Sequence, residues 1–359
     1  MTWVQRKVVC VKLSVLDLVP VRSRQSSSEA LAASLDLARV ADDLGYERYW
    51  VAEHHNMPSV ASTNPAVIIG IIASHTKQIR VGSGGVMLPN HAPLVVAEQF
   101  ALLEAAAPGR IDLGLGRAPG SDPVVTAVLN RSGATSDVNS FPNYVSDIAA
   151  LLSSDGATVR LTNGSEYELR ATPAATSSPD IWLLGSSEYS ATLAASLGLP
   201  YVFAHHFAGA GAERALEIYR SQFRASPLLD APRTFVTANV VVAPTASEAL
   251  ALALPNLQHM ARLRTNERLE RLATVEEAQA TTMTPLQDEF IAASLDSWII
   301  DEPVAAARRV RELARRFDVD EVMVSPSASA FDAEPADRTP GRTTTLRLLS
   351  EQFEVDARS

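Results

Sequence analysis

The sequence predicts an α/β fold, a (β/α)8 TIM barrel with an insertion after its fourth strand and a helical insertion before its eighth. Three observations carry this. Short β-rich apolar runs alternate with longer helical runs, the written form of repeated βα units. Eight such runs can be counted along the chain. The turn after the first reads Asp17-Leu18-Val19-Pro20, without the glycine fingerprint that an open dinucleotide-binding sheet carries there. A length of 359 residues suits one barrel with insertions, so a single domain over 1–359 is expected. Hydrophobic residues at 47% and charged residues at 20% are enough to bury a large core, which excludes a disordered chain.

The elements follow in order. Val8 to Leu16 is the first strand, and a helix from Ser28 to Leu44 is capped by Ser28, ended by Gly45, and turns Leu31, Leu35 and Ala38 inward. A strand at Arg48 to Glu53, a helix at Pro65 to His75 and a strand at Ile79 to Met87 come next. A helix at Pro93 to Ala107 leads to the fourth strand, Ile111 to Leu115. The rhythm then breaks through Pro119, Asp122, Pro142 and the polar stretch Ser153 to Ser178, which reads as helices and a small hairpin. Ile181 to Leu184, a helix at Ser187 to Leu197, Tyr201 to Ala204 and Phe235 to Val242 restore the alternation. Ser247 to Phe317 is largely helical, interrupted at Pro255, Pro285 and Pro303. Glu321 to Val324 is the eighth strand, and a loop over Ser325 to Thr345 precedes a last helix near Leu346 to Phe353.

A net charge of -10 argues against nucleic acid as a partner, since that recognition begins from a basic patch. The single cysteine, Cys10, excludes an intrachain disulfide and a cysteine-based zinc site. No run approaches the apolar length of a membrane span, and Lys12 breaks the first apolar run before any cleavage site, so no membrane partner and a cytoplasmic location are expected.

Ligands of parallel βα folds sit at the carboxyl ends of the strands, so the polar residues just after each apolar run are the ones to weigh. Glu53-His54-His55-Asn56 follows Trp50-Val51-Ala52. His54 titrates in the range useful for proton transfer; a hydrogen-bonded rim histidine is the plain alternative. A metal held by His54, His55, His205, His206 and Glu53 competes, but neighbours in an extended chain face opposite ways, leaving one inward imidazole per pair. Gly82-Ser83-Gly84-Gly85 ends the third strand, and such glycines mark either a ligand against the backbone or a tight interior. Arg117, in the turn Gly114-Leu115-Gly116-Arg117-Ala118-Pro119-Gly120, suits a planar grip on phosphate. Leu184-Gly185-Ser186-Ser187-Glu188-Tyr189-Ser190 joins a strand to a helix; its hydroxyls and free N–H groups make an anion site or an ordinary cap.

Three runs together carry a family resemblance: Tyr49 to Pro58, Ile79 to His91 and Pro108 to Gly120, continued by Leu184 to Pro200. The chain resembles the bacterial-luciferase-like flavin monooxygenases, densely up to about His206 and more weakly beyond. The resemblance implies a (β/α)8 barrel using reduced FMN (FMNH2) and O2, or in some branches the deazaflavin F420. It implies His54 as the catalytic histidine, Glu53 beside the flavin, Arg117, Ser186, Ser187 and Ser190 at the phosphate, and His205 near the flavin. Gly84-Gly85 falls where the family often has a non-prolyl cis peptide against the ring. Gly116 stands where light-emitting members carry a reactive cysteine, so bioluminescence is not expected. The activity so implied is oxygenation of a small organic substrate, aromatic or polyketide-like, as in antibiotic biosynthesis, with a separate NAD(P)H-dependent flavin reductase and a homodimer formed near the helix at Asn64 to Ser74. F420-dependent hydride transfer and a flavin-binding protein without turnover are the other readings.

Overall fold

The computed structural model describes residues 11–118, 123–130, 138–207 and 209–357. Cys10, Pro119, Gly120 and Asp122 lie outside the described residues. The first half runs β1 (Lys12–Asp17), α1 (Ser27–Asp43), β2 (Arg48–Val51), α2 (Pro65–His75), β3 (Arg80–Ser83), β4 (Val86–Met87), α3 (Pro93–Ala106) and β5 (Ile111–Gly116). The insertion holds α4 (Pro123–Asn130), α5 (Phe141–Leu152) and the antiparallel hairpin β6 (Ala157–Arg160) and β7 (Glu166–Leu169). Then come β8 (Asp180–Gly185), α6 (Glu188–Leu197), β9 (Tyr201–Phe203), α7 (Ala212–Gln222) and β10 (Thr234–Val242). The second insertion holds α8 (Ala246–Arg264), α9 (Val275–Gln279), α10 (Pro285–Ser297) and β11 (Ile299–Asp301), before α11 (Pro303–Phe317), β12 (Glu321–Pro326) and α12 (Pro340–Ala357).

Eight parallel strands close a barrel in the order β12, β1, β2, β3, β5, β8, β9, β10, with β10 pairing back onto β12. The expected TIM barrel is the fold, with both insertions where the alternation breaks. Period-two alternation sorts each strand: Val15, Tyr49, Val81, Leu113, Leu183 and Val322 face the helices, while Leu16, Trp50, Trp182, Val202, Phe235 and Met323 fill the barrel.

Several local expectations change. The first helix is capped by Ser26 rather than Ser28, because Ser26 and Glu29 close a reciprocal capping box. Its inner face is Ala30, Ala33, Ser34, Leu37 and Ala38; Leu31 is exposed and Leu35 half-buried, since small residues let the helix close on the strands. Pro255 does not interrupt α8, whose apolar face is buried through the proline and whose Leu252 carbonyl receives the Ser329 N–H at 2.8 Å. Pro285 and Pro303 each open a helix, at the position where a missing N–H costs nothing. Helix α7 and the outer strand β11, which extends β10, were not expected, and the last helix starts earlier, at Pro340. On α2 Ile68, Ile69 and Ile72 pack on the barrel, while Val67 and Ile71 are exposed at 58% and 42%.

Candidate active site at the carboxyl end of the barrel

The loop between β2 and α2 is pinned from below: Ala52 N–H donates to Asp17 O at 3.0 Å, His54 N–H to Ser62 O at 2.9 Å and Ala61 N–H to Val19 O at 2.9 Å. That bracing presents the Glu53-His54-His55-Asn56 run at the rim. Glu53 is fully buried and acts as a clasp. Its Oε1 accepts from the Nε2 atoms of His55 and His91, each at 2.8 Å, and its Oε2 accepts the Met87 N–H at 3.0 Å. Burial works to raise the Glu53 pKa, but the bonds from His55 and His91, the charge of His91 and the Met87 amide overcome it and hold it at about 2. The clasp ties the ends of β2 and β4 together beside His54. His91 was not singled out from the sequence, although it ends a quoted run.

Across the mouth, His206 rests on β10. Its Nδ1 lies 2.6 Å from Thr237 Oγ1, its backbone N–H donates to the same oxygen at 3.2 Å, and its carbonyl accepts from Asn239 Nδ2 at 2.8 Å. Burial and the neighbouring charges of His54 and His205 pull its pKa down to about 4, so the ring is neutral at neutral pH. The influence of His54 brings these two imidazoles into one neighbourhood, from β2 on one side and β9 on the other. His205 turns outward: its ring packs edge-on against Phe317 at 5.3 Å and feels Arg316 and Glu213. β9 ends at Phe203, two residues before the pair, so strand alternation could not assign which imidazole faces inward. The histidines do not gather into a metal centre: His55 serves Glu53, His205 serves Phe317, and among the described residues no three His, Cys, Asp or Glu side chains form a metal-holding group.

The third corner is the start of α6. Ser187 occupies the N-cap with extended backbone and makes no side-chain capping bond, so ordinary capping does not use it. Ser186 and Ser187 are exposed. The Arg117 guanidinium stacks on Tyr189 in the first turn, 4.0 Å from the ring centroid. Ser190 is different: it is buried, and its Oγ donates to Ser187 O at 2.9 Å and meets Tyr201 OH at 3.3 Å.

The glycines divide. A Cβ on Gly82 would strike Asp112, its backbone carbonyl included, and Trp50 Nε1, so barrel packing by itself demands that glycine, whereas one on Gly84 would meet the end of the Leu16 side chain. The Gly84–Gly85 peptide is cis. On Gly116, the last inward position of β5, a Cβ would meet only Met87 Sδ at 3.5 Å and Val86 O at 3.7 Å, ordinary contacts that leave open room at the mouth.

A closed parallel barrel with histidines from β2 and β9 meeting at its carboxyl rim, and a helix start without a side-chain cap at the same rim, has the architecture of a barrel enzyme acting on a small molecule. The model of the luciferase-like monooxygenase family matches residues 11–319, and the chain belongs to that family. It is 40% identical over 315 residues to a luciferase-like monooxygenase of Escherichia coli, covering 88% of this chain and 91% of the relative. The solved structure of apo-MsnO8 superposes with a TM-score of 0.82 at 33% identity, covering 96% of this chain and 98% of that one. The FMN complex of the oxygenating constituent of 3,6-diketocamphane monooxygenase from Pseudomonas putida shares the fold at a TM-score of 0.67 and 16% identity, over 96% and 98% of the two chains. The chain is thus an enzyme of the monooxygenase class.

Proposed function

We propose that this enzyme takes reduced FMN and molecular oxygen and places one oxygen atom on a small organic substrate. The observation that carries the reading is the uncapped α6 start beside the Arg117–Tyr189 stack, opposite the histidine rim. These residues fit a flavin phosphate: an N-terminal turn with free N–H groups, two exposed hydroxyls and a guanidinium held in plane. Ser186, Ser187 and Arg117 hold the phosphate, and Ser190 shapes the turn through Ser187 O. The open room at Gly116 and the Gly84–Gly85 backbone take the ring. When bound in its reduced form, FMN supplies the electrons and the oxygen-activating centre.

The protein positions, excludes water and moves a proton. His54 carries that proton on its imidazole. Glu53 acts through others, holding His55 and His91 so that the turn carrying His54 keeps its place. The apolar Leu18 and Leu184, one step above the inward aromatic layer, line the mouth for an aromatic or polyketide-like substrate. Reduced flavin comes from a separate NAD(P)H-dependent reductase in the cytoplasm. Val67 and Ile71 of α2, with Val95 and Leu102 of α3, form the exposed apolar face of a homodimer.

Titration with reduced FMN and with F420, followed by oxygen uptake, tests the reading. Tight reduced-FMN binding with substrate-dependent oxygen uptake is expected. F420 binding without FMN affinity makes it a hydride-transfer enzyme, and flavin binding without oxygen uptake makes it a non-catalytic flavin protein.

A further inference from the structure

Among the described residues six arginines lie over an aromatic ring: Arg48, Arg117, Arg233, Arg264, Arg311 and Arg316. Five of them also bond a carboxylate or a backbone carbonyl, as a part-buried guanidinium ordinarily does. Arg117 is the exception. It is half-buried, yet among the described residues it forms no ion pair and no hydrogen bond, and its one contact of this kind is the ring of Tyr189, 4.0 Å from the centroid. Glu188 precedes that tyrosine in α6 and still does not pair with it.

The barrel backbone brings the two side chains together. β5 and β8 are neighbours, with Gly116 in register with Leu184, so Arg117 and the turn that opens α6 leave the same stretch of rim. Ser190 makes that turn firm: its Oγ donates to Ser187 O at 2.9 Å, and it packs so close to Gly185 that a Cβ there would overlap it. Tyr189 is therefore offered from a fixed base. The five N–H donors of a guanidinium lie in its plane, whereas stacking covers a face, so the ring orients Arg117 without engaging a single donor. A carboxylate partner would fix the group by taking the donors that a ligand needs. Ser187, in the same turn, makes no side-chain capping bond, so both sides of this corner keep hydrogen-bond donors for an anion.

We propose that Tyr189 is a positioning residue for the cofactor: its ring holds the Arg117 guanidinium with free donors towards the flavin phosphate, and thereby sets the preference of the chain for FMN over phosphate-free riboflavin. The inference rests on the flavin reading above. Tyr189 acts through Arg117, and its hydroxyl has no part in the contact.

The test measures the affinities of reduced FMN and reduced riboflavin by anaerobic calorimetry on the full chain, since their ratio reports the phosphate. Wild type is expected to bind FMN more tightly. Tyr189→Leu lowers the ratio about two- to fivefold by weakening FMN, with riboflavin binding and the unfolding midpoint unchanged. Tyr189→Phe, which keeps the aromatic face, keeps the ratio. In an Arg117→Ala background Tyr189→Leu has no further effect, because the group it positions is gone. A ratio unmoved in Tyr189→Leu, a ratio lowered as far in Tyr189→Phe, or an equal effect of Tyr189→Leu with and without Arg117 overturns the proposal. Equal affinity of wild type for the two flavins overturns it as well. Binding of neither flavin overturns the flavin reading itself, and the proposal with it.

Discussion

The two ends of the barrel interior treat charge in opposite ways. At the amino end Arg48, Arg80, Asp112 and Glu321 neutralise one another: Arg48 bonds Asp112 at 2.7 Å and Glu321 at 2.6 Å, and Arg80 bonds Asp112 at 2.6 Å. Trp50, Trp182 and Phe235 surround the Arg48 guanidinium and seal it from above. At the carboxyl end stand part-buried histidines grouped around the Glu53 carboxylate or the Thr237 hydroxyl, with Arg117 stacked on Tyr189. Charges at the closed end are spent on holding strands together, whereas at the open end the Glu53 carboxylate and the Thr237 hydroxyl hold imidazole rings at the rim. One barrel thereby separates stability from chemistry along its axis, as the position of sites on this fold leads one to expect.

The largest effect that sharpens this contrast is at the closed end. Arg48→Ala leaves Asp112 and Glu321 buried without their common partner and is expected to cost about 3–5 kcal/mol of stability. Chemical denaturation checks it, and turnover per folded molecule changes little. An equal loss of turnover and stability would erase the division between the ends.

Acid probes the open end. His206 and His259, whose pKa values burial lowers to about 4, bind protons less readily folded than unfolded. Stability therefore falls as pH drops from the free imidazole value near 6.5 towards 4, and each group accounts for about 3 kcal/mol at most. His259→Gln removes one such group, and its unfolding midpoint is expected to fall less across this window than that of wild type. Glu53, depressed to about 2, has the same sign in a lower window: its contribution is complete above the ordinary carboxylate value and is lost as pH falls towards 2.

Glu53→Gln at neutral pH tests the clasp itself. Two imidazole bonds lose their charged acceptor, at a cost of about 2 kcal/mol, and turnover falls because the turn beside His54 loosens. The smallest effect is at the helix start: Arg117→Ala is expected to weaken FMN binding about tenfold, read by equilibrium titration, without changing the unfolding midpoint.

How much of this was written in the chain differs along its length. Up to β5 the helices were legible almost to the residue, since Pro65 and Pro93 mark helix starts, whereas the strand expected over Ile79 to Met87 is broken at Gly84-Gly85 into β3 and β4. Further on, β11 was hidden because Ile299 to Asp301 is three residues inside a helical region and owes its strand form to β10. The start of α12 was hidden by Pro340, which reads as a loop residue and serves as a first-turn residue. In the site, polar residues after apolar runs pointed to Glu53, His54, Arg117 and the serine turn. The inward choice between His205 and His206 was not legible, because it depends on how two turn residues leave β9, and only Thr237, some thirty residues on, decides it.

The most direct measurement is the turnover of His54→Ala, with reduced FMN binding and unfolding followed in parallel. The account predicts a loss of about 10²- to 10⁴-fold in oxygenation, with flavin affinity and stability near wild type. Full turnover with normal flavin binding would contradict the role of His54 and move the chemistry away from the histidine rim.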